Sequence, residues 1–321
     1  MEHLLYYLLF AVGLVLIIKA SDLFIDAAIW IARVTKIPDM IIGATLVSLC
    51  TTLPEAVVSS VSVARGLPEM AFGNAFGSII FNTTFILGIT FLISRPPVSD
   101  RMGFLKNTAF LLLLSIGAGT LLLAQGEISR WAGVVLLILL AAYLLVNVFS
   151  AGKNQARHTP ADAVERGGRA AMRNLCFLIV GAAGVVIGSN LLVTNGEQIA
   201  RLLGVSDLII GLTITAVGTS LPELVTAIQA MVKKAHNISV GNIIGADILN
   251  ILLVIGLSSV IHPVRLDSLA SALFSVAAVL VVCGCVLWFG LVNRRNFTRK
   301  DGVLLLALYI TYVGVNLMYF A

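Results

Sequence analysis

Charge is what this sequence has least of. Asp, Glu, Lys and Arg together make up 12% of its 321 residues, while 59% are hydrophobic. A soluble globular chain carries about 25% charged and about 45–50% apolar residues. A water-facing surface cannot be assembled from so few charges, so the soluble classes are excluded and an all-α polytopic membrane protein is expected. Histidine and cysteine are scarce as well, four of each. His3, His158, His236 and His262 all avoid mid-span positions, and there is no H-E-x-x-H or G-x-S-x-G motif. An enzyme working inside the membrane would need such a metal or nucleophile arrangement, so an enzyme is not expected. Cys50, Cys176, Cys283 and Cys285 lie in apolar segments without disulfide or zinc spacing and read as packing residues. Lys19 is the only basic residue clearly inside a span.

A membrane span needs roughly 20 apolar residues, and ten runs qualify: 4–32, 39–64, 70–93, 107–124, 131–150, 174–199, 207–232, 238–261, 268–292 and 302–320. The first run has no small-residue cleavage site and reads as a retained span. One long polar stretch, "AGKNQARHTPADAVERGGRAAMR", divides the chain. The expected organisation is a five-helix unit over 1–150, a linker over 151–173 and a second five-helix unit over 174–321. Alternating sides along these spans collects sixteen Lys and Arg residues on one side and only Arg65, Arg130, Arg201 and Arg265 on the other. Basic loops stay cytoplasmic, so both termini are expected outside and the linker inside the cell membrane. That placement accounts for the net charge of +5 without nucleic acid. The bilayer is the expected environment, and no obligate protein partner is implied.

Residues 39–90 align with 207–258 without a gap. The 16 identities in 52 positions include Thr51/Thr219, Pro54/Pro222, Glu55/Glu223, Gly73/Gly241, Asn74/Asn242, Gly77/Gly245 and Asn82/Asn250. Shared hydrophobicity would match leucines and valines; these matches fall on polar and helix-breaking residues. Five spans per unit is an odd number, so the second copy enters the bilayer from the opposite side. Transporters built from inverted repeats place their site near the midplane, where the repeats meet.

The repeated segments "VSLCTTLPEAVVSS" and "TAVGTSLPELVTAI" put a proline in mid-span. Pro54 cannot donate to the carbonyl of Cys50, nor Pro222 to that of Gly218, so each helix is expected to break there. In lipid the freed carbonyls need an ion, water or protein partner. Thr51, Thr52 and Glu55 flank one break, and Thr219, Ser220 and Glu223 the other. In the next span Asn74, Ser78 and Asn82 share a helical face, with Gly73 and Gly77 as a small-residue seam. The second unit reads Asn242, Ala246 and Asn250, with Gly241 and Gly245. Carboxylate, amide, hydroxyl and carbonyl oxygens are the ligands of hard cations such as Ca²⁺ and Na⁺. A mid-bilayer carboxylate is expensive and needs a partner. One lysine, expected to pair with Asp22 or Asp26 on its own helix, cannot serve Glu55, Glu223 and Asp247 too. The two glutamates therefore bind cations or are protonated structural groups. Asp247, whose repeat mate is Ile79, is either a ligand or a charge facing the cavity. Asp39 and Asp207 are expected as helix N-caps.

At these doubled T-x-LPE and GN-x-x-G motifs the sequence resembles the cation/calcium exchanger superfamily, and within it the prokaryotic sodium/calcium exchangers. The resemblance covers nearly the whole chain. It implies ten transmembrane helices in two inverted five-helix repeats, with the long first and sixth helices sliding to alternate access. It makes Glu55 and Glu223 central Ca²⁺ ligands shared with Na⁺, and adds Thr51, Thr52, Ser78, Asn82, Thr219, Ser220 and Asn250. The main-chain carbonyls of Ser48 and Ala216 match ion-contacting positions. No cofactor is implied; Ca²⁺ and Na⁺ are the transported ions. The chain departs from the pattern at Cys50, which replaces a hinge glycine, and at Ala246, where a serine hydroxyl is common. Some members also carry an acid at the position of Asn250, whereas here it stands three residues earlier, as Asp247. The expected function is Na⁺/Ca²⁺ antiport, the alternative a H⁺- or K⁺-coupled antiport of Ca²⁺ or another divalent cation.

Overall fold

In the computed structural model, the described residues are 2–97, 100–153, 167–202, 216–266, 268–293 and 296–319. They form helices α1 (Glu2–Thr35), α2 (Asp39–Thr51), α3 (Leu53–Ala64), α4 (Pro68–Ser94), α5 (Arg101–Gln125) and α6 (Arg130–Lys153) in the first half. The second half holds α7 (Gly168–Leu202), α8 (Ala216–Thr219), α9 (Leu221–Val232), α10 (His236–Ile261), α11 (Leu269–Val292) and α12 (Arg299–Tyr319). Two short strands, β1 (Glu127–Ile128) and β2 (Val264–Arg265), pair antiparallel.

The repeat is visible in the backbone. Each half has one long helix, a broken helix, a π-bulged helix and two peripheral helices. Thr52 (φ −82°, ψ −2°) separates α2 from α3, which bend by 43°, and Ser220 (φ −90°, ψ 7°) separates α8 from α9. Pro54 and Pro222 each sit at the start of the downstream helix, where a missing N–H is harmless. Wider π turns at Phe81–Ile86 and Asn250–Ile255 interrupt α4 and α10 at matching places.

Seven helices among the described residues are long and apolar enough to cross a membrane, and the bent pair α2–α3 makes an eighth. The other two expected spans fall on α8 with α9, and on α12. The first is short where described; the second opens on Arg299, Lys300 and Asp301. By length and apolarity, eight spans are counted among the described residues, and residues 207–215 of the seventh expected span lie outside them. The linker expected over 151–173 is entered from both ends, by α6 as far as Lys153 and by α7 from Gly168. Asp207 lies outside the described residues. Asp39 is the first residue of α2 and Pro38 its cap, so Asp39 acts through its charge on the first turn instead of capping.

Burial separates a core from a periphery. The apolar stretches of α10 and α4 are 83% and 72% buried, against 11% for α6. The long helices α1 and α7 cross closely: a Cβ on Gly188 would come within 2.8 Å of the Ile17 nitrogen. The Gly241/Gly245 seam is used in the same way, since a Cβ on Gly245 would meet the Ala44 Cα at 2.5 Å. Gly73 meets nothing within 4 Å among the described residues; the repeat counterparts of Met40 and Ala44, Leu208 and Leu212, lie outside them.

Loop contacts sort into two faces. Glu127–Arg265, Arg130 to the Ile261 carbonyl (3.2 Å) and Glu69 with the Ser268 amide (3.2 Å) gather one set. Arg101 to the Gly290 carbonyl (2.9 Å), Arg299 to the Leu92 carbonyl (3.2 Å) and the Pro97–Asn296 bridge gather the other. Each contact joins loops that the alternation of spans assigns to one side.

Candidate functional site

The breaks at Thr52 and Ser220 bring the two LPE segments together, because each hydroxyl caps nothing in its own helix and reaches across the repeat. Thr52 donates to Glu223 Oε1 at 3.4 Å, and Ser220 donates to Glu55 Oε1 at 3.3 Å. A second reciprocal pair lies beside the first. Thr51 donates to Asn242 Oδ1 at 3.2 Å and Thr219 to Asn74 Oδ1 at 3.0 Å. The asparagines are held in turn: Asn242 Nδ2 donates to Thr226 at 3.1 Å, and Asn74 Nδ2 to Ser59 at 2.9 Å. Thr226 is the repeat mate of Val58, so the two halves supply this hydroxyl from adjacent positions.

Thr51, Thr52, Glu55, Ser78, Asn82, Ser220, Glu223, Asp247 and Asn250 have no accessible surface, and Thr219 has 3%. Burying three carboxylates carries a large desolvation cost unless charge or hydrogen bonds offset it. No ion pair reaches Glu55, Glu223 or Asp247 among the described residues. The Oε2 atoms of Glu55 and Glu223, Oδ1 of Asn82 and both polar atoms of Asn250 have no hydrogen-bond partner there. Buried polar atoms are nearly always satisfied, and four of these five are oxygens of the kind a cation site presents. It is a mixed site. No three His, Cys, Asp or Glu side chains converge to hold a metal among the described residues, so amide and hydroxyl oxygens must complete any coordination shell.

Two features break the symmetry. The Ser220 hydroxyl also lies in hydrogen-bond contact with that of Ser78 at 3.0 Å, a contact for which Ala246, the mate of Ser78, has no hydroxyl. Asp247 accepts from Asn82 Nδ2 at 3.1 Å on Oδ1 and from Thr83 on Oδ2. It therefore faces the first repeat beside the predicted stripe.

Of the predicted main-chain ligands, the Ser48 carbonyl accepts the Thr52 N–H at 2.9 Å and the Thr51 hydroxyl at 3.3 Å. Ala216 opens α8. The Gly218 carbonyl, which Pro222 cannot serve, accepts from Ser189 of α7 at 3.2 Å. The expected pairing of Lys19 with Asp22 or Asp26 is corrected: Lys233 holds both, at 2.8 and 2.6 Å. This lysine, just beyond α9, also donates to the Asp22 carbonyl at 2.9 Å.

Sequence reasoning missed Thr83, Ser59, Thr226, Ser189 and Tyr143, which donates to the Ala44 carbonyl at 3.2 Å inside the π turn Gly43–Val47. A hydroxyl one turn below each LPE glutamate was the available signal for Ser59 and Thr226. Thr83 gave none, since its repeat mate is Ile251.

The family model for sodium/calcium exchanger protein matches residues 5–149 and 173–318. The inner membrane protein YrbG of Escherichia coli is 36% identical over 317 residues, which is 96% of this chain and 95% of that one. The sodium/calcium exchanger MaX1 of Methanosarcina acetivorans is 28% identical, covering 96% and 97%. Among solved structures, the sodium-calcium exchanger NCX_Mj soaked with Na⁺ and Ca²⁺ superposes with a TM-score of 0.82 at 29% identity, covering 98% of both chains.

Proposed function

The chain belongs to the sodium/calcium exchanger protein family, and on that premise we propose that it is a secondary antiporter that expels Ca²⁺ in exchange for Na⁺ through one shared site. The observation that carries this reading is the reciprocal Thr52–Glu223 and Ser220–Glu55 exchange, with one oxygen of each glutamate left unpartnered. Glu55 and Glu223 would be central ligands for both ions. Thr51, Thr52, Ser78 and Asn82, with Thr219, Ser220 and Asn250, would complete the shells, together with the carbonyls of Ser48 and Ala216. Both ions need the same two carboxylates, so occupancy is mutually exclusive and coupling follows from competition. An empty, doubly negative site resists crossing a dry barrier, because an unpaired charge at mid-bilayer costs at least several kcal/mol; a neutralised one does not.

The two units would be 1–150 and 174–321, joined by a cytoplasmic segment within 151–173. The basic loop face would lie in the cytoplasm and both termini outside, in keeping with the positive-inside rule. A proton-coupled or K⁺-coupled divalent antiport is the second reading, favoured by Ala246, which removes one hydroxyl from the second repeat.

The test is ⁴⁵Ca²⁺ uptake into proteoliposomes loaded with Na⁺, against K⁺-loaded and acid-inside vesicles. Uptake with internal Na⁺ alone is expected. Uptake driven by the proton gradient alone would move the protein to the second reading with the same glutamates.

A further inference from the structure

We infer that Asp247 is a positioning residue, which turns the Asn82 amide so that its oxygen faces the transported cation. The inference rests on the exchange reading above and assigns a role that symmetry between the repeats does not supply.

An asparagine side chain presents an oxygen from one end and an NH₂ group from the other, and the two ends are nearly the same shape. Only the oxygen end serves a cation, so a neighbour must decide which way the amide lies. A carboxylate can decide, because it accepts and does not donate. Asp247 Oδ1 takes the Asn82 Nδ2 at 3.1 Å, and the opposite end, Oδ1, is left buried and unpartnered among the described residues. Thr83 occupies the second carboxylate oxygen. Both oxygens of Asp247 are thus engaged by first-repeat side chains. The acid also does not join Glu55 and Glu223 as a three-carboxylate cage among the described residues. This is the geometry of a residue standing behind a ligand.

The repeat provides an internal control. Asn250 is the mate of Asn82, yet the mate of Asp247 is Ile79, which has no acceptor. Neither polar atom of Asn250 is engaged among the described residues. One amide oxygen is therefore preset, while the other is turned only when an ion arrives. Outer partners that orient a metal ligand change affinity about 10–100-fold when removed, and a preset ligand loses less freedom on binding.

The experiment measures the half-saturating Ca²⁺ and the maximal rate of Na⁺-driven ⁴⁵Ca²⁺ uptake for the full chain in proteoliposomes, together with its melting temperature in detergent. Asp247→Asn keeps the shape but adds a donor, and is expected to raise half-saturating Ca²⁺ by about tenfold or more. The double variant Asn82→Asp with Asp247→Asn keeps the total charge and offers an oxygen whichever way residue 82 turns. It is expected to recover most of the Ca²⁺ affinity that Asp247→Asn loses, by the same reasoning about ligand orientation. Should Asp247→Asn lower the melting temperature and fail to fold, the charge-conserving double variant still carries the test. An unchanged half-saturating Ca²⁺ in Asp247→Asn, or a double variant no better than a folded single one, overturns the inference while leaving the exchange function intact. A wild type without Ca²⁺ uptake under any gradient overturns the exchange reading and this inference together.

Discussion

The two repeats make the same break and the same reciprocal hydrogen bonds, yet they are not chemically equal. Thr51 and Thr219, Thr52 and Ser220, Asn74 and Asn242 exchange partners across the interface almost as mirror images. Ser78 faces Ser220 while its mate Ala246 has nothing to offer, and Asp247 answers an isoleucine. The matched part suits alternation, since a site built alike from both halves is held alike whichever side is open. The unmatched part concerns what the site binds, because it adds a hydroxyl to one half and a charge to the other.

The strongest way to break this comparison is to remove one glutamate. Glu55→Gln and Glu223→Gln should each abolish Ca²⁺ uptake, since each removes half the charge facing a divalent ion. If one variant transports normally, the two halves do not share the site. Next come Thr51→Val and Thr219→Val, each leaving a buried asparagine oxygen without its donor. Both should lose about 1–3 kcal/mol of stability, and by similar amounts; thermal unfolding in detergent checks the match. A smaller effect is expected from Ala246→Ser, which gives the second half the hydroxyl it lacks. An added favourable contact of about 0.5–1 kcal/mol would lower the half-activating Na⁺ roughly two- to fivefold, read from uptake at graded internal Na⁺.

The least effect should come from Lys233→Met. Burial pulls the Lys233 ammonium down, but Asp22 and Asp26 hydrogen-bond and attract it, and the balance raises its pKa. A raised lysine contributes fully below its ordinary value and fades as pH climbs through the raised one. Its ion pairs therefore persist across the physiological range, and the variant should show no pH-dependent loss there relative to wild type. Asp22 and Asp26 are about half exposed (49% and 54%), so each pair contributes no more than about 1 kcal/mol.

How legible this was depends on which interactions are local. The breaks at Thr52 and Ser220 could be read because a proline's missing N–H acts within four residues of itself. The Asn74–Ser78–Asn82 stripe followed from helical periodicity, and all three side chains are buried. Thr83 could not be read. Residues 82 and 83 stand about 100° apart on a regular helix, yet within the π turn Phe81–Ile86 both reach Asp247. Lys233 pairs with acids over 200 residues away in sequence, where no spacing rule applies; Lys19 was only the nearest candidate. The start of α7 at Gly168 was not read either, because Arg169 and Arg173 look like polar punctuation, whereas long basic side chains on a helix end can reach the interface.

The central claim is that Na⁺ and Ca²⁺ compete for one site held by Glu55 and Glu223. External Na⁺ should be titrated against initial ⁴⁵Ca²⁺ uptake in proteoliposomes with internal Na⁺ fixed. A single shared site predicts that external Na⁺ raises the half-saturating Ca²⁺ and leaves the maximal rate unchanged. A maximal rate that falls while half-saturating Ca²⁺ stays constant would place the two ions at separate sites and contradict the account.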